Sequence, residues 1–92
     1  MSLSLQSVLR DLLKKRGWET ALRKEQMPRI WAELVGPRIA SISEVRSFEN
    51  GVLKVHVKEA SWRTELTLRR DDLRLQLNAR IGEDVVNEII IR

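Results

Sequence analysis

SWRTELTLRRDDLRLQLNARIG, residues 61–82, decides how the rest of the chain can fold, because it is the one long stretch that reads as an uninterrupted helix. Trp62, Leu66, Leu73 and Leu77 follow one another at spacings of four, seven and four. At about 100° per residue they fall in one narrow stripe, with Ile81 at its edge, and that stripe is the expected core face. Gly82 supplies the stop, since a glycine just past the last periodic residue takes the left-handed conformation that closes a helix C-terminus. Two other faces carry information. Arg63, Arg70 and Arg74 align along one flank as a candidate anion-binding edge, and Leu68 and Leu75 make a small apolar strip, a candidate second packing surface.

Immediately upstream, residues 43–48 and 52–58 alternate in polarity and meet at Glu49-Asn50-Gly51; Asn-Gly between apolar runs is a strong hairpin signal. A two-residue turn at Asn50-Gly51 would set Val45 opposite His56 and Arg46 opposite Val55, mixing core and solvent on each face. A three-residue loop, with Gly51 as its left-handed bulge residue, sets Val45 opposite Val55, Ser47 opposite Leu53 and Phe48 opposite Val52. Only the second pairing sorts the faces, and a one-residue slip would turn buried positions outward. The expected sheet therefore carries Val45, Leu53, Val55 and Val57 inward, and Arg46, Lys54, His56 and Lys58 outward beside Phe48.

Farther out, Leu5, Val8, Leu9, Leu12 and Leu13 predict a helix over residues 4–16, with Ser4 as N-cap, basic residues at its C-terminus and Gly17 as its end. A second helix is expected over residues 18–35, with Leu22, Met27, Ile30, Trp31 and Leu34 as its apolar members. Pro28 predicts a break near Gln26 and Met27, followed by a new helix ending at Gly36 and a short turn over residues 37–40. Residues 85–92 read as a final strand with Ile89 and Ile91 inward. The order helix, helix, strand, strand, helix, strand predicts one α+β domain over residues 1–92, a three-stranded sheet packed on helices. Trp31 and Trp62 are expected to be at least partly buried, and Trp18 exposed.

Composition narrows the function. A chain of 92 residues has room for one core and no cofactor-sized cavity, so no cofactor is expected. With no cysteine and one histidine there is neither a disulfide framework nor a metal-ligand spacing, which suits a cytoplasmic protein. No apolar run reaches the roughly 20 residues of a membrane span, and the N-terminal charges are interleaved, unlike a signal peptide. The excess of 17 basic over 13 acidic residues fits nucleic acid or an acidic protein surface as partner.

No catalytic constellation is visible, and an enzyme is not expected. There is no GxxxxGK phosphate loop, His56 has no identifiable orienting carboxylate, and Asp71-Asp72 point about 100° apart on a helix rather than at one atom. The basic residues are the stronger candidates. Arg63, Arg70 and Arg74 read either as a solvated face paired with Asp71 and Glu59, or, joined by Arg46, Lys54 and Lys58, as a surface following a phosphate backbone with Phe48 stacked on a base. The alternative is a protein-interaction module without nucleic-acid binding, its surface made by Trp18, Leu68 and Leu75.

The runs Ile30-Trp31-Ala32-Glu33-Leu34-Val35-Gly36 and Asn50-Gly51-Val52-Leu53-Lys54-Val55-His56-Val57 are followed by Ser61-Trp62, Leu66 and Leu73. Leu77-Asn78, Gly82 and the closing Ile89-Ile90-Ile91-Arg92 complete a pattern that resembles the bacterial DciA family over nearly the whole chain. The resemblance implies a KH-like α+β domain and an ATPase-independent role in delivering the replicative helicase DnaB to single-stranded DNA. Longer DciA-like proteins append a flexible segment that helps engage the helicase, whereas this sequence closes at Arg92. Gly36-Pro37-Arg38-Ile39 keeps only the first glycine of a GxxG loop, so the RNA clamp of KH domains is not expected. The zinc ribbon sometimes ascribed to the family has no cysteines here to form it.

Overall fold

In a computed structural model, backbone is described for residues 4–15 and 18–92 and side chains for residues 4–10 and 21–92. Alternation in β2 (Val52–Val57) turns Leu53, Val55 and Val57 to one side, where all three are buried. β2 is the middle strand, antiparallel to β1 (Ser43–Glu49) and parallel to β3 (Glu88–Ile91). Parallel neighbours need a long crossover, and α3 (Ala60–Leu68) and α4 (Arg70–Ile81) supply it. Leu66, Leu73 and Leu77 of that crossover join Met27 and Trp31 of α2 (Trp18–Ile42) against the inner face of the sheet. The result is a mixed sheet with helices behind one side, the expected α+β class.

The stripe of residues 61–82 is borne out: Leu66, Leu73 and Leu77 are buried, while Trp62 and Ile81 pack at the margin of the core. The single helix is not. It divides at Arg69, which leaves helical geometry at φ −99°, ψ 5° and turns its N–H to the carbonyls of Leu66 and Thr67. The division falls among exposed residues, Leu68 to Arg70, where no buried side chain opposes it. Asp71 and Asp72 then occupy the first turn of α4, a favourable place for carboxylates beside the positive end of a helix dipole. Gly82 closes α4 in the left-handed region at φ 88°, as expected, its N–H donating to the Asn78 carbonyl at 2.8 Å.

The break expected at Gln26 and Met27 does not occur; α2 runs on through Pro28. Met27 is wholly buried and Trp31, one turn later, is 2% exposed, so an unbroken helix keeps both in the core. A proline inside a helix costs about 3 kcal/mol, and burying a large apolar side chain returns roughly 1.5–3 kcal/mol, so two such residues outweigh the defect. Pro28 and Lys24, whose carbonyl loses its helical donor, both lie on the exposed side. The true departure within α2 is Gly36, at φ 86° and ψ 166°, which separates the main helix from a longer terminal piece than expected, residues 37–42. The Trp31 indole N–H donates to Ser43 Oγ at 3.0 Å, and that hydroxyl donates to the Ile39 carbonyl at 2.7 Å, fixing where helix gives way to strand.

The hairpin differs from expectation in two linked ways. Asn50 (φ 52°) and Gly51 (φ 78°) form a two-residue turn of the type I′ kind, with Glu49 paired to Val52. Arg46 is an extra residue: Val45 pairs with Val55, but Ser47 already pairs with Lys54 and Phe48 with Leu53. The bulge removes the face-mixing that a two-residue turn would otherwise impose. Phe48 is thereby turned inward, 8% exposed, and joins the core rather than the outer face.

Of the last expected strand, Glu88–Ile91 form β3 and Arg92 extends its hydrogen bonding, while Val85 and Val86 are held instead by Asn78. This buried amide accepts from both of their N–H groups, at 3.1 and 2.8 Å, and donates to the Val86 carbonyl at 2.9 Å. Asn78→Ala would leave buried donors and an acceptor unmet, so a loss of about 2–3 kcal/mol is expected in urea unfolding, with faster amide exchange at Val85 and Val86. At the other end, α1 (Leu5–Lys15) starts at Ser4, whose hydroxyl accepts from the Ser7 N–H at 3.1 Å. Leu5, Val8 and Leu9 are exposed. The expected stop at Gly17 and the packing of Leu12 and Leu13 lie outside the described residues.

Candidate nucleic-acid interface

With the helices behind one side of the sheet, the other side faces solvent. Alternation along β2 places Val52, Lys54 and His56 there, and the register sets Lys54 between Ser47 of β1 and Ile90 of β3. Arg92 continues the ladder, its N–H donating to the Val55 carbonyl at 3.0 Å and its carbonyl accepting from Val57 at 2.9 Å, which puts it beside His56. Arg46 and Lys54 are exposed, as are Glu44 and Glu88 at the ends of their strands. The Arg46 guanidinium stands 3.7 Å from Glu44, a contact between two largely exposed groups that water screens and a phosphate can displace. His56 is half-buried, and its imidazole has no hydrogen bond or ion pair among the described residues.

Lys58 is exposed just beyond β2, where its N–H donates to the Ile42 carbonyl at 3.2 Å. Arg63 reaches back across the strand-to-helix junction, Nη1 donating to the Val57 carbonyl at 3.0 Å. The guanidinium is therefore brought beside Lys58 but is partly committed to the backbone. Arg70 is exposed at the start of α4 and Arg74 is half-buried one turn later; neither has an ion pair among the described residues. Because Arg69 interrupts the helix, Arg63 lies on a different helix from Arg70 and Arg74. Phe48, buried, offers no ring to a base.

Of the expected protein-interaction residues, Leu68 and Leu75 are 78% and 57% exposed. They line separate surface depressions, the first with Arg63, Thr64, Thr67, Ile91 and Arg92, the second with Ala79 and Asp84. The Trp18 side chain lies outside the described residues. Two residues escaped the sequence reading. Arg92 had a signal, since outward Ile90 and Arg92 follow from inward Ile89 and Ile91. Arg38, whose guanidinium sits 5.9 Å from the centroid of the Trp62 ring, had none. Among the described residues no group of three or more histidine, aspartate or glutamate side chains is placed to hold a metal, and no helix is long and apolar enough to cross a membrane.

Comparison with known proteins gives a consistent result. The family model described as "Dna[CI] antecedent, DciA" matches residues 4–91. A UPF0232 protein of Mycobacterium leprae is 33% identical over 87 residues, 95% of this chain and 46% of that protein. A UPF0232 protein of Mycobacterium tuberculosis is 32% identical over 82 residues, 89% of this chain and 44% of its own length. The chain thus spans a little under half the length of these relatives.

Proposed function

The chain belongs to the DciA family, and on that premise we propose that it is a non-enzymatic accessory protein of DNA replication in the bacterial cytoplasm. It binds single-stranded DNA weakly and without regard to sequence, on a KH-like scaffold, and assists the loading of the replicative helicase DnaB. The observation that carries this reading is the open sheet face, where Arg46 and Lys54 stand exposed on adjacent strands, with exposed Arg92 just past the end of β3 at the border with α3. Strands lie about 4.8 Å apart, so the three cations span a width that a flexible phosphate backbone can follow. Lys58 and Arg63 extend the charge past the end of β2. Val52 and Ile90, half-buried on the same face, give bases apolar surface to rest on, but no aromatic platform, which favours weak and sequence-tolerant binding.

If about four cations engage phosphates of one strand, the logarithm of affinity falls against the logarithm of salt with a slope near −3. Reversing Arg46, Lys54 and Lys58 together to glutamate is expected to weaken binding of a labelled oligothymidylate by at least about tenfold, with the circular dichroism spectrum unchanged because all three are exposed. Reversing Arg70 and Arg74 instead is expected to do less. Unchanged affinity in the folded triple variant would remove the sheet face from the function. Exposed Leu68 and Leu75 favour the second reading, a protein-contact module; it gains if no oligonucleotide binds even at low salt while DnaB is still retained.

A further inference from the structure

On the helical side of the domain, away from the open sheet face, α2 and the end of α4 enclose a groove of about 490 Å³. Its floor is aliphatic, made by Leu22, Met27, Ile30 and Ile81. Arginines stand along it. Arg23 donates to Glu83 at 2.6 Å and so ties α2 to the turn after α4. Arg29 and Arg80 line the groove, both exposed, and neither has an ion pair among the described residues. Glu33 is the acidic residue of the lining, leaving the two uncommitted arginines in excess.

An aliphatic floor beside cations selects an apolar side chain flanked by negative charge. Nucleic acid brings the charge but not the anchor, and the lining has no aromatic ring on which a base could stack. A second copy of this chain could offer Leu5, Val8 and Leu9, exposed in its first helix, but the sequence of that helix is net basic and complements two arginines poorly. We propose that the groove is the docking site for an acidic amphipathic helix of a partner protein. An aliphatic residue of that helix seats on Ile30 and Ile81, while carboxylates a turn away pair with Arg29 and Arg80.

The test is a titration of the whole chain, selectively methyl-labelled, with an acetylated and amidated peptide of about 16 residues, four helical turns. The peptide is built of glutamate and alanine with leucines four positions apart. Saturable shifts of the Ile30 and Ile81 methyl signals are expected. They should be absent when the leucines are replaced by serine, and the affinity should fall at least about tenfold in the Arg29→Glu, Arg80→Glu variant. Leu22→Ser, at a half-exposed position, should also weaken the peptide while leaving the remaining methyl spectrum in place. Absence of saturable shifts, or equal affinity in the double variant, would overturn the proposal. So would displacement of the peptide by oligothymidylate, which would make the groove a nucleic-acid surface. Because Arg29 and Arg80 lie away from the sheet face, oligothymidylate affinity in the double variant reads the single-stranded DNA proposal separately.

Discussion

Trp31→Ala is expected to cost about 3–5 kcal/mol, the largest loss of any single change in the described core. Trp31 is 2% exposed and is the largest of the fully buried side chains. Its removal empties a site in the core it shares with Leu66, Leu73, Leu77 and the inner face of the sheet, which cannot all collapse into the gap. A domain of 92 residues has about 5–14 kcal/mol of stability in total, so the variant should unfold at much lower urea and be partly unfolded at the lower end of that range. Trp31→Phe separates packing from hydrogen bonding: it keeps a ring but deletes the N–H that reaches Ser43 Oγ. A loss of about 1–2 kcal/mol is expected there. Far-UV circular dichroism against urea is the appropriate measurement, because tryptophan emission changes with the substitution itself. If Trp31→Ala unfolded at the wild-type urea concentration, the core would have to be centred elsewhere.

The second large effect is expected at Leu77. Leu77→Ala should cost about 2–5 kcal/mol, whereas Leu75→Ala, two residues away on α4, should cost well under 1 kcal/mol. The two leucines have the same chemistry and helix propensity; they differ in that Leu77 is 0% and Leu75 57% exposed. Comparing them cancels every local term and leaves burial. Equal losses would mean that the phase of α4 is wrong or that Leu75 is covered in a dimer, and sedimentation at two protein concentrations would distinguish these.

What the residues revealed in advance depended on how local the determining physics was. The stripe Trp62, Leu66, Leu73, Leu77 could be read because helix periodicity alone brings those side chains to one face. Gly82 could be read because only its own conformation was at issue. The break at Arg69 could not be read from apolar spacing, since Leu66 and Leu73 keep the core phase across it; the weak signal was the acidic pair following it. At Pro28 the local rule pointed the wrong way, because the burial that overrides it is tertiary. The hairpin failed differently. Two apolar residues three apart, Val45 and Phe48, cannot share a face of a regular strand, and that mismatch was the signature of a bulge. Reading it as a longer loop moved Phe48 outward and gave the candidate site an aromatic residue it does not have. The charges on the sheet face, Arg46 and Lys54, were legible because alternation in β2 is uninterrupted and Arg46 remains exposed in either register. The anchoring of Arg63 by a backbone carbonyl was not, since it depends on where a strand ends relative to a helix.

The extra residue in β1 also bears on how the molecule behaves in company. A three-stranded sheet has two borders, and β1 is one of them, with backbone groups free to recruit a stranger's strand. A straight border invites such pairing over its whole length. Here the border is interrupted midway, between Val45 and Ser47, and the residue that interrupts it carries a positive charge. A second strand approaching from solvent finds its hydrogen bonds out of step after the first few residues and a cation in its path. The irregularity that turns Phe48 into the core thus also discourages one copy of the domain from zipping onto the next.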